Sequence, residues 1–213
     1  MRLIVYTAAI GGETDTVQAP DVIDPTVRYL CFSDRPCVAP YEWLEVPTPA
    51  DGSLPSRRVK VLADHPALQD ADATLWHDAS YRLTGSLQWA IEGFERADIV
   101  AMRHPKRTRI EEEAVAIARW GYVTVAEALR VVREYRLAGF VSDALTSAGL
   151  LGRRCSAAMT RLNATWWQEV QRWRGRDQAS FDYAAWVAGV TVGYVPGTVR
   201  QNPYAAWRTA VPA

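Results

Sequence analysis

The sequence carries no net charge and few cysteines, and both features argue against certain classes of protein. Lys plus Arg equals Asp plus Glu at 24 each among 213 residues, so no overall field draws the chain to nucleic acid or to a membrane surface. The three cysteines, Cys31, Cys37 and Cys155, are odd in number and include no C-x-x-C pair. We therefore expect no disulfide framework and no structural zinc site, and a reducing compartment is the simpler inference.

Long hydrophobic runs and the common nucleotide-binding fingerprints are also missing. The apolar segment Leu3–Tyr6 is too short for a signal peptide or a membrane span, so we expect a cytoplasmic protein without a transmembrane segment. The small-residue loop Thr7–Gly12 lacks both the complete G-x-G-x-x-G and the G-x-x-x-x-G-K-[ST] patterns. A Rossmann dinucleotide site or a P-loop is therefore not predicted.

What is present is the composition of one globular domain spanning residues 1–213, with 49% hydrophobic and 23% charged residues. Short β-prone runs predict strands over Leu3–Tyr6, Val27–Phe32, Trp43–Val46, Thr74–His77, Ile99–Met102, Gly149–Cys155 and Val190–Val195. Capped or amphipathic runs predict helices over Arg57–Asp64, Leu87–Phe94, Glu111–Trp120, Thr124 to about Gly139, Asn163–Arg174 and Asp177–Val187. The alternation predicts an α/β fold with a mixed, mostly parallel central sheet flanked by helices. Residues 196–213 are expected to form a polar, aromatic tail.

Polar residues follow four of the predicted strands at the point where each strand ends. They are Thr7, Asp34, Asp78 and His104. Open α/β sheets bind their ligands outside the carboxyl ends of the strands, so we expect these side chains to share a site. For Asp34 and Asp78 a turn-forming role explains the same position equally well.

The basic residues, although balanced overall, are clustered. They occur at Arg57, Arg58 and Lys60, then over Arg103–Arg109, then over Arg172–Arg176. Local basic clusters in a chain without net charge favour a small phosphate-bearing ligand over a nucleic-acid duplex.

Several ordered motifs together resemble a glycosyltransferase-like family that includes plant hexosyltransferases implicated in mucilage synthesis and many bacterial proteins. The motifs are Tyr6-Thr7-Ala8-Ala9-Ile10-Gly11-Gly12, Cys31-Phe32-Ser33-Asp34, Arg57/Arg58 with Lys60 and His65, Trp76-His77-Asp78, His104-Pro105-Lys106-Arg107 with Glu112-Glu113-Ala114, and Trp166-Trp167-Gln168-Glu169 leading to Arg176-Asp177-Gln178-Ala179-Ser180-Phe181. The resemblance extends from Tyr6 to Phe181. It implies a single-domain, Rossmann-like fold of the GT-A type and the use of a nucleotide-diphosphate sugar, with a UDP-sugar as the first candidate.

The resemblance also implies roles for individual residues. The group expected to bind the nucleotide and the sugar donor comprises Thr7, Ala8, Asp34, Arg57, Arg58, Lys60 and Arg107. The group expected on the catalytic side comprises His104, Arg176, Asp177 and Gln178. Asp177 is the candidate for a carboxylate near the anomeric carbon or for a general base, with Asp78 and Glu112 as alternatives. Asp177 has a competing interpretation, because it is also placed to cap a helix.

Asp78 and Ser80 would take the place of the acidic motif that holds Mg²⁺ or Mn²⁺ on the diphosphate. The usual motif is D-x-D, whereas this chain reads Asp78-Ala79-Ser80. One carboxylate and a hydroxyl make a poor cation site, so dependence on a divalent cation is left open, and the basic clusters could neutralise the diphosphate instead.

Two other functions fit the same residues. One is a nucleotidyltransferase-like or sugar-phosphate enzyme, which usually needs two carboxylates on metal. The other is a nucleotide-sugar-binding module with weak or no catalysis, which the missing second aspartate favours. The acceptor for a transferase would be a glycan or another hydroxyl compound, and a hydroxylated base of phage DNA is a less favoured acceptor because the chain has no net charge.

Overall fold

The computed structural model describes residues 1–11, 17–48 and 55–207. Nine strands are present in this part of the chain: β1 Leu3–Ala9, β2 Arg28–Ser33, β3 Glu42–Glu45, β4 Ala73–His77, β5 Tyr81–Leu83, β6 Ile99–Arg103, β7 Thr146–Arg154, β8 Val192–Thr198 and β9 Ala205–Trp207. Six α-helices accompany them: α1 Pro55–Leu62, α2 Gln88–Phe94, α3 Ile110–Arg119, α4 Val125–Leu137, α5 Ala157–Arg172 and α6 Gln178–Ala188.

The central sheet has seven strands in the order β3-β2-β1-β4-β7-β6-β8. The pairs β1–β2, β1–β4, β2–β3 and β6–β8 are parallel, whereas β7 runs antiparallel to both β4 and β6. This confirms the predicted mixed, mostly parallel sheet flanked by helices. Strands β5 and β9 form a separate two-stranded antiparallel sheet.

Both faces of the central sheet are covered, which explains why all seven residues of β1 are buried. On one face, Ile4 and Tyr6 share a hydrophobic cluster with Trp166 of α5 and Phe181 of α6. On the other face, Val5 shares a cluster with residues of α2 and of the small sheet. A third cluster joins α3 and α4 to the segment before α6. The strand ends are therefore held rigidly from both sides.

Several boundaries differ from the prediction. Strand β7 begins at Thr146, three residues before the predicted Gly149, and is nine residues long. Helix α5 begins at Ala157, where the Ser156 hydroxyl accepts a hydrogen bond from the Met159 N–H. Helix α1 begins at Pro55, two residues before the predicted Arg57, and ends at Leu62. The expected tail was wrong over residues 196–207, because β8 extends to Thr198 and β9 follows.

The expectation that the cysteines are unpaired was also wrong for Cys31 and Cys37. Cys31, at the centre of β2, and Cys37 form a disulfide, because the turn after Ser33 brings Cys37 back onto the strand. Cys155 is free and exposed. The inference of a reducing compartment, which depended on unpaired cysteines, loses that support. Within the described ranges no helix is long and apolar enough to cross a membrane.

Candidate functional site

A polar cleft lies at the carboxyl ends of β1 and β4. The chain proceeds from β1 outward through β2 and β3 on one side and returns to β4 on the other side of β1, so the strand order reverses at this point. Open α/β sheets bind ligands at such a switch point. The cleft has two adjoining lobes. The first, of about 290 Å³, includes Ala8, Trp76 and Ser80, and the second, of about 310 Å³, includes His104, Arg107, Arg176, Gln178, Arg200 and Trp207.

An ion-paired triad of Lys60, Asp78 and Asp177 lies where the two lobes meet, and all three residues line both of them. The Lys60 Nζ is 3.0 Å from Asp78 Oδ1 and 2.5 Å from Asp177 Oδ2. The Lys60 side chain is 6% exposed and that of Asp177 12%, whereas that of Asp78 is 40% exposed. The two candidate carboxylates are thus held together by one buried ammonium group.

Each member of the triad is placed by a different part of the fold. Lys60 lies in the last turn of α1. Asp78 directly follows β4, and its Oδ1 also accepts a 2.8 Å hydrogen bond from Trp76 Nε1. Opposite Asp78 lies Gly149, where a Cβ atom would be 3.1 Å from Asp78 Oδ2 and 2.9 Å from a ring carbon of Tyr81, so a side chain there would crowd the carboxylate.

Asp177 precedes α6, and the structure distinguishes its two proposed roles. Its side chain makes no capping hydrogen bond, so it does not act as a helix cap. Instead, its backbone carbonyl accepts a 2.8 Å hydrogen bond from the Nε1 of the fully buried Trp166, and its carboxylate points to Lys60. The residue is therefore held by its main chain while its charge is directed into the cleft.

The opposite charges of the triad shift each other's pKa values toward the ionised forms. Burial alone raises the pKa of Asp177, but the Lys60 and Arg57 charges lower it, and the result is a pKa of about 2 instead of 3.8. Burial lowers the pKa of Lys60, whereas Asp177 and Asp78 raise it, and the net direction is upward. Asp177 and Lys60 are therefore both ionised at neutral pH.

Four arginines surround the triad, and their partners differ. Arg107 is neutralised by the buried Glu113, with its Nε 2.5 Å from Oε2. The Nε of Arg57 is 3.9 Å from Asp177 Oδ1, which is too long for a hydrogen bond. The Nε atoms of Arg57 and Arg176 are buried and have no hydrogen-bond partner among the described residues. Arg200 stacks on Trp207 at 4.5 Å.

The aromatic and charged residues of the second lobe that sequence reasoning missed are Tyr81, Arg200 and Trp207. All three belong to the small sheet or to the segment that leads to it, because Trp207 pairs with Tyr81 and Arg200 precedes β9. Their positions depend on a contact between distant parts of the chain, and a basic residue close to a tryptophan was the only local signal.

His104 lines the second lobe, and its ring orders the loop that follows it. Its Nδ1 accepts hydrogen bonds from the backbone N–H groups of Lys106 at 3.2 Å and Arg107 at 2.8 Å. Burial, together with the adjacent Arg107 charge, lowers the pKa of His104 to about 4. The imidazole is therefore neutral at physiological pH and orders the loop that carries Arg107.

The predicted nucleotide-binding residues are only partly brought together. Ala8 lines the first lobe. Thr7 is fully buried, and its Oγ1 has no partner within the described part of the chain. Asp34 Oδ2 accepts hydrogen bonds from Thr48 Oγ1 at 2.6 Å and from the Gly11 N–H at 3.0 Å, and these bonds lower its pKa. Asp34 thus ties the loop after β1 to the segment after β3.

Two further candidates lie apart from the cleft. Arg58 is on the exposed side of α1, where its Nη2 pairs with Asp64 at 2.9 Å, and it lines neither lobe. Glu112 accepts hydrogen bonds from the backbone N–H groups of Thr108 and Arg109, which lower its pKa, and so it orders the start of α3.

The proposed cation ligands Asp78 and Ser80 both line the first lobe. Asp78 Oδ1, however, already accepts hydrogen bonds from Lys60 Nζ and Trp76 Nε1. An ammonium group 3.0 Å from this oxygen repels a second cation. Residues 1–11, 17–48 and 55–207 contain no group of three or more His, Cys, Asp or Glu side chains that could hold a metal ion. The residues present therefore do not fit a protein-held Mg²⁺ or Mn²⁺.

Comparison with models of known protein families gave no match, and comparison with curated proteins gave no match either. The functional argument therefore depends on the geometry of the cleft.

Proposed function

We propose that this protein is a glycosyltransferase of the GT-A type that moves a sugar from a nucleotide-diphosphate sugar to a hydroxyl acceptor. The observation that carries the proposal is the ion-paired triad of Lys60, Asp78 and Asp177, which lies between two cleft lobes at the switch point of the sheet. The resemblance of the ordered motifs to a glycosyltransferase family agrees with it, because residues of separate motifs meet in this triad.

The charge of the cleft suits a diphosphate. Arg57 and Arg176 line the second lobe without a hydrogen-bonded carboxylate among the described residues, and Arg200 lies over an aromatic ring. Guanidinium groups bind phosphate oxygens in a forked geometry, and unused N–H groups in a partly buried cleft favour an anionic ligand. We place the diphosphate across Lys60 and Arg57, with Arg200 on its other side.

Transfer breaks the bond between the anomeric carbon and the diphosphate oxygen and forms a bond from that carbon to the acceptor oxygen. Negative charge develops on the departing diphosphate, where Lys60 and Arg57 stabilise it. Positive charge develops on the sugar, where the carboxylate of Asp177 stabilises it and orients the sugar hydroxyls.

The low pKa of Asp177 favours an electrostatic role over that of a general base. A general base works best with a pKa near the operating pH, and a carboxylate with a pKa of about 2 is a weak proton acceptor. His104, with a pKa of about 4, is little better. The terminal phosphate of the departing nucleoside diphosphate is a stronger base, because the second pKa of a phosphate monoester is about 6. We therefore assign the acceptor proton to the departing diphosphate and an electrostatic role to Asp177.

Calorimetric titration with UDP-, GDP-, ADP- and TDP-sugars tests the proposal, followed by detection of the free nucleoside diphosphate when acceptors are supplied. The expected result is binding of at least one nucleotide sugar and its loss in a Lys60→Ala variant. Lys106→Ala, which removes a lysine beside the cleft, is the matched control. No heat with any of the donors would overturn the proposal.

The alternatives give different results in the same experiment. Binding without release of nucleoside diphosphate under any acceptor would favour the nucleotide-sugar-binding module. A nucleotidyltransferase would release pyrophosphate from a nucleoside triphosphate and usually needs two carboxylates free to hold metal, whereas Asp78 and Asp177 are both bound to Lys60.

A further inference from the structure

Helix α1 carries two of the cationic groups of the cleft, Arg57 and Lys60, and it ends at Leu62 just after them. The last four carbonyl groups of a helix have no partner within the helix, and this end carries partial negative charge. The chain leaves the helix through Ala63 in the left-handed region, with φ of 47°. The carbonyl oxygens of Lys60, Val61 and Leu62 therefore need partners from elsewhere in the fold.

A buried arginine of the central sheet donates hydrogen bonds to two of these three carbonyl oxygens. Arg153 of β7 is 1% exposed, and its Nη2 donates to the Lys60 carbonyl at 2.6 Å while its Nη1 donates to the Val61 carbonyl at 3.1 Å. Its other hydrogen-bond acceptors are neutral, namely the Tyr6 hydroxyl and the Asn163 side-chain oxygen. The charge of this guanidinium group is thus directed at the end of α1.

Two neighbours complete the same network. The Tyr6 hydroxyl donates to the Lys60 carbonyl at 3.1 Å, and Asn163 Nδ2 donates to the Leu62 carbonyl at 2.9 Å. Both neighbours also accept hydrogen bonds from Arg153. The main chain of Lys60 is therefore fixed by Tyr6 and Arg153, while its ammonium group is fixed by the two aspartates at the other end of the side chain.

We propose that Arg153 is a positioning residue, which sets the place of the Lys60 ammonium group in the cleft by capping the end of α1. A cation in a buried site at a helix C-terminus stabilises the helix end, and here the stabilised residues are those that reach the ligand. The catalytic consequence depends on the function proposed above, whereas the effect on Lys60 does not.

The next residue provides a matched control. Arg154 also directs its guanidinium group at a helix end, with its Nε donating to the Phe94 carbonyl at 2.8 Å. Phe94 is the last residue of α2, and neither cleft lobe is lined by a residue of α2. Arg154→Met therefore removes the same kind of helix cap without touching the cleft.

The experiment measures amine acylation of Lys60 by mass spectrometry. The sequence contains two lysines, Lys60 and Lys106, so Lys106 serves as the internal reference. In Arg153→Met, the main chain of Lys60 loses its cap and the ammonium group is held less firmly between the two aspartates, so Lys60 is expected to react about tenfold faster relative to Lys106. This fold-change corresponds to about 1.4 kcal/mol, which lies below the upper value of about 2 kcal/mol for a cation at a partly buried helix C-terminus. Arg154→Met should leave the ratio as in the wild type. Equal ratios in both variants and the wild type would overturn the proposal.

Two further measurements complete the test. If Arg153→Met does not fold, Tyr6→Phe removes one hydroxyl from the same network and should still raise the Lys60 ratio, and an unchanged ratio there would count against the proposal. For turnover, Arg153→Met should lower activity in the wild type but not further in a Lys60→Ala background, because the two changes act on one group. An additive loss would contradict positioning through Lys60. Lack of activity in the wild type itself would count against the proposed function and leave the acylation result valid.

Discussion

Replacing Asp177 with asparagine tests whether the triad holds its charge as the geometry indicates. The side chain keeps its shape, and the carboxylate that lies 2.5 Å from Lys60 Nζ is lost. A pKa of about 2 in place of 3.8 means that the folded state favours the ionised form by about 2 kcal/mol at neutral pH. Lys60 keeps Asp78 at 3.0 Å, so the loss should stay below the 3–5 kcal/mol typical of a buried charge left without any partner.

The pH dependence gives the sharper test. Because the pKa of Asp177 is lower in the folded state, its contribution is fully present above pH 3.8 and is lost as the pH falls through about 2. Urea unfolding of the wild type and Asp177→Asn should therefore differ by about 2 kcal/mol at pH 7 and by roughly half of that at pH 3. Asp64→Asn, which removes the exposed partner of Arg58, is the control and should cost less than about 1 kcal/mol. A difference for Asp177→Asn that does not shrink at pH 3 would refute the reasoning.

The same variant separates the electrostatic role from substrate binding. If Asp177 stabilises positive charge on the sugar in the transition state, Asp177→Asn should lower turnover at least ~100-fold. The affinity for the nucleotide sugar should change much less, because that interaction is strongest in the transition state. Near-normal turnover would reduce Asp177 to a structural partner of Lys60.

Three more predictions follow from the contacts around the triad. Arg57→Gln is expected to weaken nucleoside diphosphate binding about tenfold, whereas Arg58→Gln, on the exposed side of the same helix, should leave the dissociation constant within about twofold in the same titration. Asp78→Asn is expected to cost about 1 kcal/mol of unfolding free energy and to reduce turnover equally in EDTA and in Mg²⁺, and activity restored by Mn²⁺ would argue for a cation at this carboxylate. Burial lowers the pKa of His77 from 6.5 to about 4, so the folded state loses stability as the pH falls from 6.5 toward 4, and His77→Gln should flatten that part of the curve in urea unfolding.

Local sequence patterns predicted most elements of the fold but not the pairings between distant segments. The apolar runs of β1, β2 and β4 are short and β-prone. Each of these strands begins within two residues of its predicted start and ends within three residues of its predicted end. The start of β7 was missed because Thr146, Ser147 and Ala148 are small or polar, as in a loop, yet they are buried in the sheet between neighbouring strands. Strand β9 was missed because its partner β5 is more than a hundred residues away.

The sequence predicted the individual residues of the triad but not the ion pairs between them. Lys60, Asp78 and Asp177 were each recognised, the first for its basic cluster and the others for their positions at element ends. Their mutual pairing could not be predicted, because it depends on how α1 and α6 pack on one face of the sheet. Arg153 gave no functional signal, since a single arginine in a strand is ordinary, and only the three-dimensional structure shows that it reaches the end of α1.

The arrangement of arginines explains how a chain without net charge can present cations to a phosphate. A carboxylate partner holds a guanidinium group in place but also cancels its charge, as Glu113 does for Arg107. An aromatic ring holds the same group by packing and leaves the charge available. Arg176 lies 4.6 Å from the Tyr122 ring, and Arg200 lies 4.5 Å from the Trp207 ring. The second lobe is therefore positive where its arginines rest on aromatic rings, and under the proposed function the diphosphate of the donor would supply the counter-charge that the described residues do not.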